Sequence, residues 1–197
     1  MKIGVIGRGN VGNTLGGRFA EAGYQVMYGV KSPVQGDEQS VEVVAQWADM
    51  IVLSVPATAI TAEFFRGEGW QGKIVVDATN PIAPGFDGLD WGDEHSWGER
   101  VARLLPDSHV VKAFNTVGFN VMENPKFGGK SATMLVAGDD AESKRLVIEA
   151  AAAIGFSPED AGPLTQARWL EAFAWLWISM AVKFGHGREM AFLFARR

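Results

Sequence analysis

The chain has 197 residues, no cysteine and a formal net charge of −5. That length suits one α/β domain with a small appendage, and the lack of cysteine excludes disulfides, thiolate catalysis and cysteine-bound zinc. An acidic balance without a basic run argues against a nucleic-acid partner, and the longest apolar stretch, 172–182, is too short to cross a bilayer.

Met1 leads straight into a β-rich run, Lys2–Ile6, which leaves no room for a leader, so a cytoplasmic protein is expected. The run enters Gly7-Arg8-Gly9-Asn10-Val11-Gly12 and then a helical pattern over 10–22 that stops at Gly23. In this strand–turn–helix context each glycine has a role. Gly7 makes the tight turn, Gly9 lets a pyrophosphate approach the backbone, and Gly12 lets helix and strand pack closely. The helix N-terminus adds partial positive charge at the same point. A second strand, 25–28, exits through Gly29-Val30-Lys31-Ser32-Pro33. The carboxylate that holds a ribose 2′-hydroxyl in NAD sites is missing there. Lys31 and Ser32 suit a 2′-phosphate instead, which points to NADP(H).

A polar loop with Pro33 and Gly36 leads to a helix near 40–47. Strand Met50–Leu53 follows and exits through Ser54-Val55-Pro56. A helix is expected near 57–65 and a strand over 73–77, which exits through Ala78-Thr79-Asn80-Pro81. Residues 82–97, rich in Gly, Asp and Trp, read as a long irregular loop of the kind that carries function. Ser96-Trp97-Gly98-Glu99 is a capping box that opens a helix to Leu105. Strand His109–Lys112 exits through Ala113-Phe114-Asn115-Thr116. A strand over 133–137, a helix near 141–154, a short extended piece from Phe156 and an aromatic helical stretch over 163–184 complete the chain.

Strands alternating with helices predict an α/β fold, a Rossmann-type doubly wound parallel sheet with a small C-terminal helical extension. Residues 1–155 are expected to form an NADP-binding domain. Residues 156–197 are expected to supply an acceptor pocket and a dimer contact. In such a sheet ligands bind outside the carboxyl ends of the strands. The exits there offer hydroxyls, amides and small residues, which suit ribose and a carboxamide and do not suit a metal.

These motifs give the chain a resemblance to the NADP-dependent reductases of the deazaflavin coenzyme F-420. It is also similar to the cytoplasmic domain of six-transmembrane metalloreductases. The marks are Gly7–Gly12, Gly29-Val-Lys31, Ser54-Val-Pro56, Asp77-Ala-Thr-Asn80-Pro81, Val111-Lys-Ala-Phe-Asn115-Thr116, Asp160-Ala-Gly-Pro-Leu164 and Ala167-Arg-Trp-Leu-Glu171. The resemblance implies NADPH laid across the sheet edge, with Arg8, Gly9, Asn10 and Val11 around the pyrophosphate and Lys31 with Ser32 at the 2′-phosphate. Ser54, Val55 and Pro56 would border the ribose, and Asn80, Pro81, Asn115 and Thr116 would face the nicotinamide. It also implies a flat acceptor (coenzyme F-420, FMN or FAD) stacked on the nicotinamide.

Direct hydride transfer needs proximity and orientation but no nucleophile or metal, and no residue stands out as catalytic. Asp77 reads as ordering its strand exit, Lys112 as a partly buried structural amine. His95, His109 and His186 read as surface or structural residues, His95 being nearest the expected pocket. The helix around Trp169, Phe173, Trp175 and Trp177 is apolar nearly all round and must be buried on more than one side. A homodimer contact is expected there, with Phe119, Trp169 and Phe173 lining the acceptor pocket. Two alternatives stay open. One is an NADPH-dependent reductase of a small imine or keto substrate, which needs a proton donor; the other is a non-catalytic NADP(H)-binding sensor.

Overall fold

The computed structural model describes residues 1–92 and 94–197; Asp93, within the expected loop 82–97, lies outside the described residues. An eight-stranded sheet forms the body, in the order β10-β9-β6-β5-β4-β1-β2-β3. Its strands are β1 (Lys2–Ile6), β2 (Gln25–Gly29), β3 (Glu38–Gln39), β4 (Met50–Leu53), β5 (Ile74–Asp77), β6 (His109–Lys112), β9 (Thr133–Gly138) and β10 (Ser157–Gly162). From β3 to β6 every pairing is parallel, and the order reverses beside β1.

One correction concerns strand direction. β9 runs antiparallel to β6, with Val111 opposite Gly138, and β10 is parallel to β9. The chain reaches β9 through a short helix α4 (Phe119–Glu123) and a small hairpin of β7 (Lys126–Phe127) and β8 (Lys130–Ser131). With α4 only five residues long, the connection has no crossover helix to return the chain to the opposite edge of the sheet. The start of β9 therefore lies at the edge where β1 to β6 end. Residues 157–162 are the last strand of this sheet, and the chain becomes helical only from Leu164.

Alternation along the buried strands builds two cores. Ile3, Val5, Met50, Val52 and Val76 face α1 (Asn10–Glu21), α4 and α5 (Ala141–Ala153), where Phe19, Phe114 and Phe156 fill the space. Ile6, Ile51, Leu53 and Val75 face α2 (Val41–Trp47) and α3 (Trp97–Leu104), with Trp70 and Trp97. Helices on both faces explain why these strands read as continuous apolar runs.

The helix expected near 57–65 is instead two short 3₁₀ turns, Ala57–Ala59 and Glu63–Phe65. Ile60 between them is extended and almost fully buried, so anchoring its side chain in the core breaks the helical path. The capping box forms as expected. Ser96 Oγ accepts from the Glu99 N–H at 3.1 Å and its hydroxyl donates to Glu99 Oε2 at 2.7 Å. The C-terminal helix α6 (Ala167–Ile178) continues as one π-helical turn, Ser179–Lys183.

Candidate functional site

At the β1 exit the three glycines do different work. Gly7 has φ +100°, a left-handed conformation that a side chain would strain, and a Cβ there would press on Ser54 O and Val55 Cγ1 at 2.9 Å. A Cβ on Gly12 would overlap the Gly7 carbonyl oxygen and meet Ser54 Oγ at 2.5 Å. Gly9 is the opposite case, because a Cβ there would meet nothing within 4 Å. The first helical hydrogen bond of α1 runs from Asn13 N to Gly9 O at 2.9 Å, so the amides of Asn10, Val11 and Gly12 have no helical acceptor. No side chain caps them and no acid occupies the first turn. An open cradle of free amides at an uncompensated helix N-terminus fits an anionic pyrophosphate.

The neighbouring exits extend this edge. Ser54 donates its hydroxyl to Ile6 O (2.9 Å) and Gly7 O (3.2 Å), so its side chain clamps β4 to the turn. Val55 packs against Gly7, and Pro56 is exposed. Lys31 and Ser32 are exposed in the turn after β2.

The Arg8 side chain is held by the loop after β2. The guanidinium stacks on Tyr28 at 4.1 Å from the ring centroid and forks onto both Asp37 oxygens at 2.6 and 3.0 Å. It also reaches Glu38 at 3.1 Å. The Arg8 hydrogen bond holds Asp37 below the usual carboxylate range. Glu38 is lowered first by the N–H groups of Gln35 and Val34, which it accepts at 3.0 and 2.8 Å. Arg8 thus braces the loop that presents Lys31 and Ser32.

At the other half of the edge, Asn80 and Asn115 tie the β5 and β6 exits together. Asn80 Nδ2 donates to Asn115 O at 2.8 Å, and Asn115 Nδ2 donates to Asn80 Oδ1 and to Leu170 O, both at 3.1 Å. Phe114, just before, has φ +61°, a conformation costing a non-glycine residue about 1–3 kcal/mol. Its N–H points to Met134 Sδ at 3.1 Å and its ring packs on Phe19, so the core holds this turn. Asn115 is 4% exposed and its Oδ1 has no partner, a free buried acceptor suited to a carboxamide N–H. Thr116 and Pro81 are buried.

Beneath the asparagines is a buried charge cluster that sequence reasoning recognised only in part. Lys112 Nζ lies 2.8 Å from Asp77 Oδ2, 2.8 Å from Glu171 Oε1 and 2.7 Å from Thr79 O, and the three charged side chains are wholly buried. Asp77 Oδ1 accepts from Thr79 N and Thr79 Oγ1. Glu171 accepts from the α3 amides of Trp97 and Gly98 and from Trp91 Nε1. Gly98 lets α3 approach α6 closely here, because a Cβ would come within 2.9 Å of Ala167 Cβ. Asp77 binds the Thr79 donors of its own strand exit, as expected of a residue that orders that exit. Lys112 is not partly but fully buried. Glu171 and Gly98 were missed as parts of this site; their only local signal was the capping box before Gly98 and the isolated acid in an apolar helix.

Two of the three expected pocket residues line one cavity. Trp169 and Phe173 line a hollow over Leu135 and Leu170, where Trp169 is 68% exposed and Phe173 packs on Phe192 at 4.4 Å. Phe119 lies apart on α4, with Arg188 about 6.0 Å from its ring. Among the described residues, none of the cavities at the strand exits is lined by all three.

A glycine turn, an uncompensated helix N-terminus and an amide-rich exit on a doubly wound sheet define a Rossmann-type dinucleotide-binding protein. Residues 2–81 match the family described as NADP oxidoreductase, coenzyme F420-dependent. The chain is similar to a solved structure from Arthrobacter sp. FB24, a proposed F420-dependent NADP reductase. That match has TM-score 0.84 and 29% identity and covers 100% of both chains. It is 30% identical over 180 residues to the metalloreductase STEAP3 of Rattus norvegicus, covering 87% of this chain but only 36% of that protein. An imine reductase of Aspergillus terreus shares the fold at TM-score 0.67 and 14% identity, over 90% of this chain and 60% of that one. The chain is thus similar to NADP-dependent oxidoreductases, and the resemblance read from its motifs is met again in these matches. The chain spans about a third of the length of the metalloreductases it matches. No helix among the described residues is long and apolar enough to cross a membrane.

Proposed function

We propose that the chain transfers a hydride between NADPH and a flat ring acceptor, a deazaflavin of the coenzyme F-420 type or a flavin such as FMN or FAD. The observation that carries this is the state of Lys112, the amine beneath the nicotinamide half of the edge. It is fully buried and already donates to Asp77, Glu171 and Thr79. Reduction of an imine or keto group needs a proton delivered beside the hydride. A ring acceptor can instead take its proton at a ring nitrogen from solvent. NADPH would supply the hydride, and the protein's work is to bind and orient. The amides of Arg8 to Gly12 hold the pyrophosphate, Lys31 and Ser32 the 2′-phosphate, and Val55 and Pro56 border the ribose. Asn80 and Asn115 fix the carboxamide.

The test is anaerobic oxidation of NADPH by the purified protein with 8-hydroxy-5-deazaflavin, and with FMN in parallel. Saturable turnover with either ring supports the reading. Tight NADPH binding without turnover of either would move the weight to the small-substrate or sensing alternatives.

Lys31→Glu is expected to weaken NADPH by about 1–3 kcal/mol, through a lost charge-assisted contact and added repulsion. Titration calorimetry with NADPH and NADH reads this directly. Equal losses for both would remove Lys31 from the 2′-phosphate.

A homodimer through the C-terminal helix belongs to the same proposal. Trp169, Leu176 and Phe184 are exposed at 68%, 49% and 72%, apolar surface of the kind that association covers. Light scattering should return twice the chain mass, and a single-chain mass would discard the contact.

A further inference from the structure

Three cavities deserve comparison as places for the acceptor. The largest, about 620 Å³ between Phe65, Trp70 and Asp107, opens among the loops that precede β5 and β6, at the edge opposite the cofactor cradle. The hollow under Trp169 and Phe173 is about 240 Å³ and shares no residue with the strand exits from β1 to β6. The third, about 470 Å³, is walled by Ile60, Pro81, Ile82 and Pro84, directly beside the Asn80–Asn115 pair, and its volume is that of a small-molecule site.

The polar lining of this third cavity is unusual. Trp97 and Arg100, one helical turn apart on α3, both line it, with the guanidinium 4.6 Å from the indole ring. Trp97 is 5% exposed, and its Nε1 is a buried donor without a partner among the described residues. Arg100 Nε is a second such donor among the described residues. Unpaired buried N–H groups are costly, and these two belong to residues that line one cavity, where an acceptor oxygen from outside the chain would satisfy them. The same cavity carries Asp90, one of whose oxygens accepts from Gly92 N at 3.0 Å. Its second oxygen is an acceptor. Donors and an acceptor between apolar walls are the complement of a heterocyclic imide edge, in which a ring N–H sits between two carbonyls. A simple carboxylate would meet Asp90 as a like charge.

We propose that this cavity binds the hydride acceptor by the imide edge of its ring, with Arg100 and Trp97 donating to ring carbonyls and Asp90 accepting the ring N–H. This rests on the ring-acceptor reading above and relocates the acceptor pocket from the helix α6 to α3 and the 82–97 loop. Arg100 is then the residue that selects a pyrimidinedione ring over an apolar one.

The experiment measures binding of riboflavin and of 8-hydroxy-5-deazaflavin, neither carrying a phosphate, to NADP⁺-saturated protein by fluorescence titration. Arg100→Met keeps the stem over Trp97 but removes the donors. It should weaken both rings roughly ten- to a hundredfold, the range for hydrogen bonds from a charged group, with NADP⁺ affinity within about twofold. Trp97→Phe, checked for an intact melting transition, should weaken them less. Unchanged ring binding in a folded Arg100→Met protein overturns the assignment, as does a loss of NADP⁺ affinity equal to the loss of ring affinity. So does a wild-type protein that binds neither ring. Turnover with an unaffected Arg100→Met variant would sink this cavity but leave the proposed reaction standing. Ring binding lost in the variant, without turnover in the wild type, would do the reverse.

Discussion

Replacing Lys112 with methionine should lower stability by about 3–5 kcal/mol, the usual cost of leaving buried carboxylates without their counter-ion. For a chain of this size that is a melting temperature lower by roughly 6–20 °C. The reason lies in the charge count. One ammonium stands between two wholly buried carboxylates, Asp77 and Glu171, so the cluster is formally negative even when intact. The remaining charge is met by the N-terminus of α3, whose Trp97 and Gly98 amides donate to Glu171, by Trp91 Nε1, and by the Thr79 donors on Asp77. Removing the ammonium leaves more negative charge than those dipoles can offset. The triple variant Lys112→Met, Asp77→Asn, Glu171→Gln should recover much of the loss, because neutral amides keep an acceptor for Thr79 and Trp97 without the unpaired charge. Calorimetric melting of the single and triple variants checks both statements, and a loss below about 1 kcal/mol for Lys112→Met would mean that the cluster contributes little.

The pH dependence of this cluster has a definite sign. Burial alone would push the Lys112 pKa down, but Asp77 and Glu171 overcome it and hold it above the ordinary lysine value. A group raised in the folded state contributes its stability fully below the unfolded pKa, about 10.4 for lysine, and loses it as pH rises through the folded value. The Lys112 contribution should therefore be constant through neutrality and fail only in strong alkali. The cluster also joins β5, β6, α3 and α6, and Asn115 is held from α6 through Leu170 O. Lys112→Met should thus loosen the carboxamide end of the site while leaving the pyrophosphate cradle intact.

How far the sequence reveals this molecule depends on the range of each interaction. The glycine turn is local, and the tight turn at Gly7 and the close packing at Gly12 are readable because strand, turn and helix are contiguous between Lys2 and Glu21. The capping box at Ser96 is readable for the same reason. Strand alternation places most of the sheet, since a run buried on both faces has few other homes. The reversal of β9 is not readable, because it depends on how far the short α4 and the hairpin carry the chain. The 3₁₀ turns at 57–65 follow from burial of Ile60, a tertiary demand that outweighs helix propensity. Lys112 could be suspected of burial, but its pairing with Glu171 needs the docking of α6, which no local pattern encodes. Aromatic content suggests an acceptor pocket on α6, where Trp169 and Phe173 do line one hollow. Unsatisfied donors on Trp97 and Arg100 become visible only when partners are counted in three dimensions, here among the described residues.

Gly9→Val and Gly12→Ala should both lose NADPH binding, by separable routes. Gly9 has φ −74° and ψ −171°, extended backbone that valine adopts freely, and open space where its Cβ would stand. The fold should give up no more than about 1 kcal/mol, the scale of a poorer helix N-cap. The new isopropyl group occupies the cradle itself, so NADPH should weaken by at least roughly a hundredfold, about 2.7 kcal/mol. Gly12 is the reverse case. A Cβ there overlaps the Gly7 carbonyl oxygen, which is backbone and cannot turn aside, so α1 must move away from the β1 exit. Overpacking of this kind costs about 1–3 kcal/mol, so Gly12→Ala should melt earlier and lose NADPH because the amides have moved. Titration calorimetry paired with thermal melting separates the two. Gly9→Val binding NADPH normally would reduce the glycine motif to a turn and remove the foundation of the cofactor site. Equal destabilisation of both variants would mean that the open space at Gly9 belongs to the fold and not to a ligand.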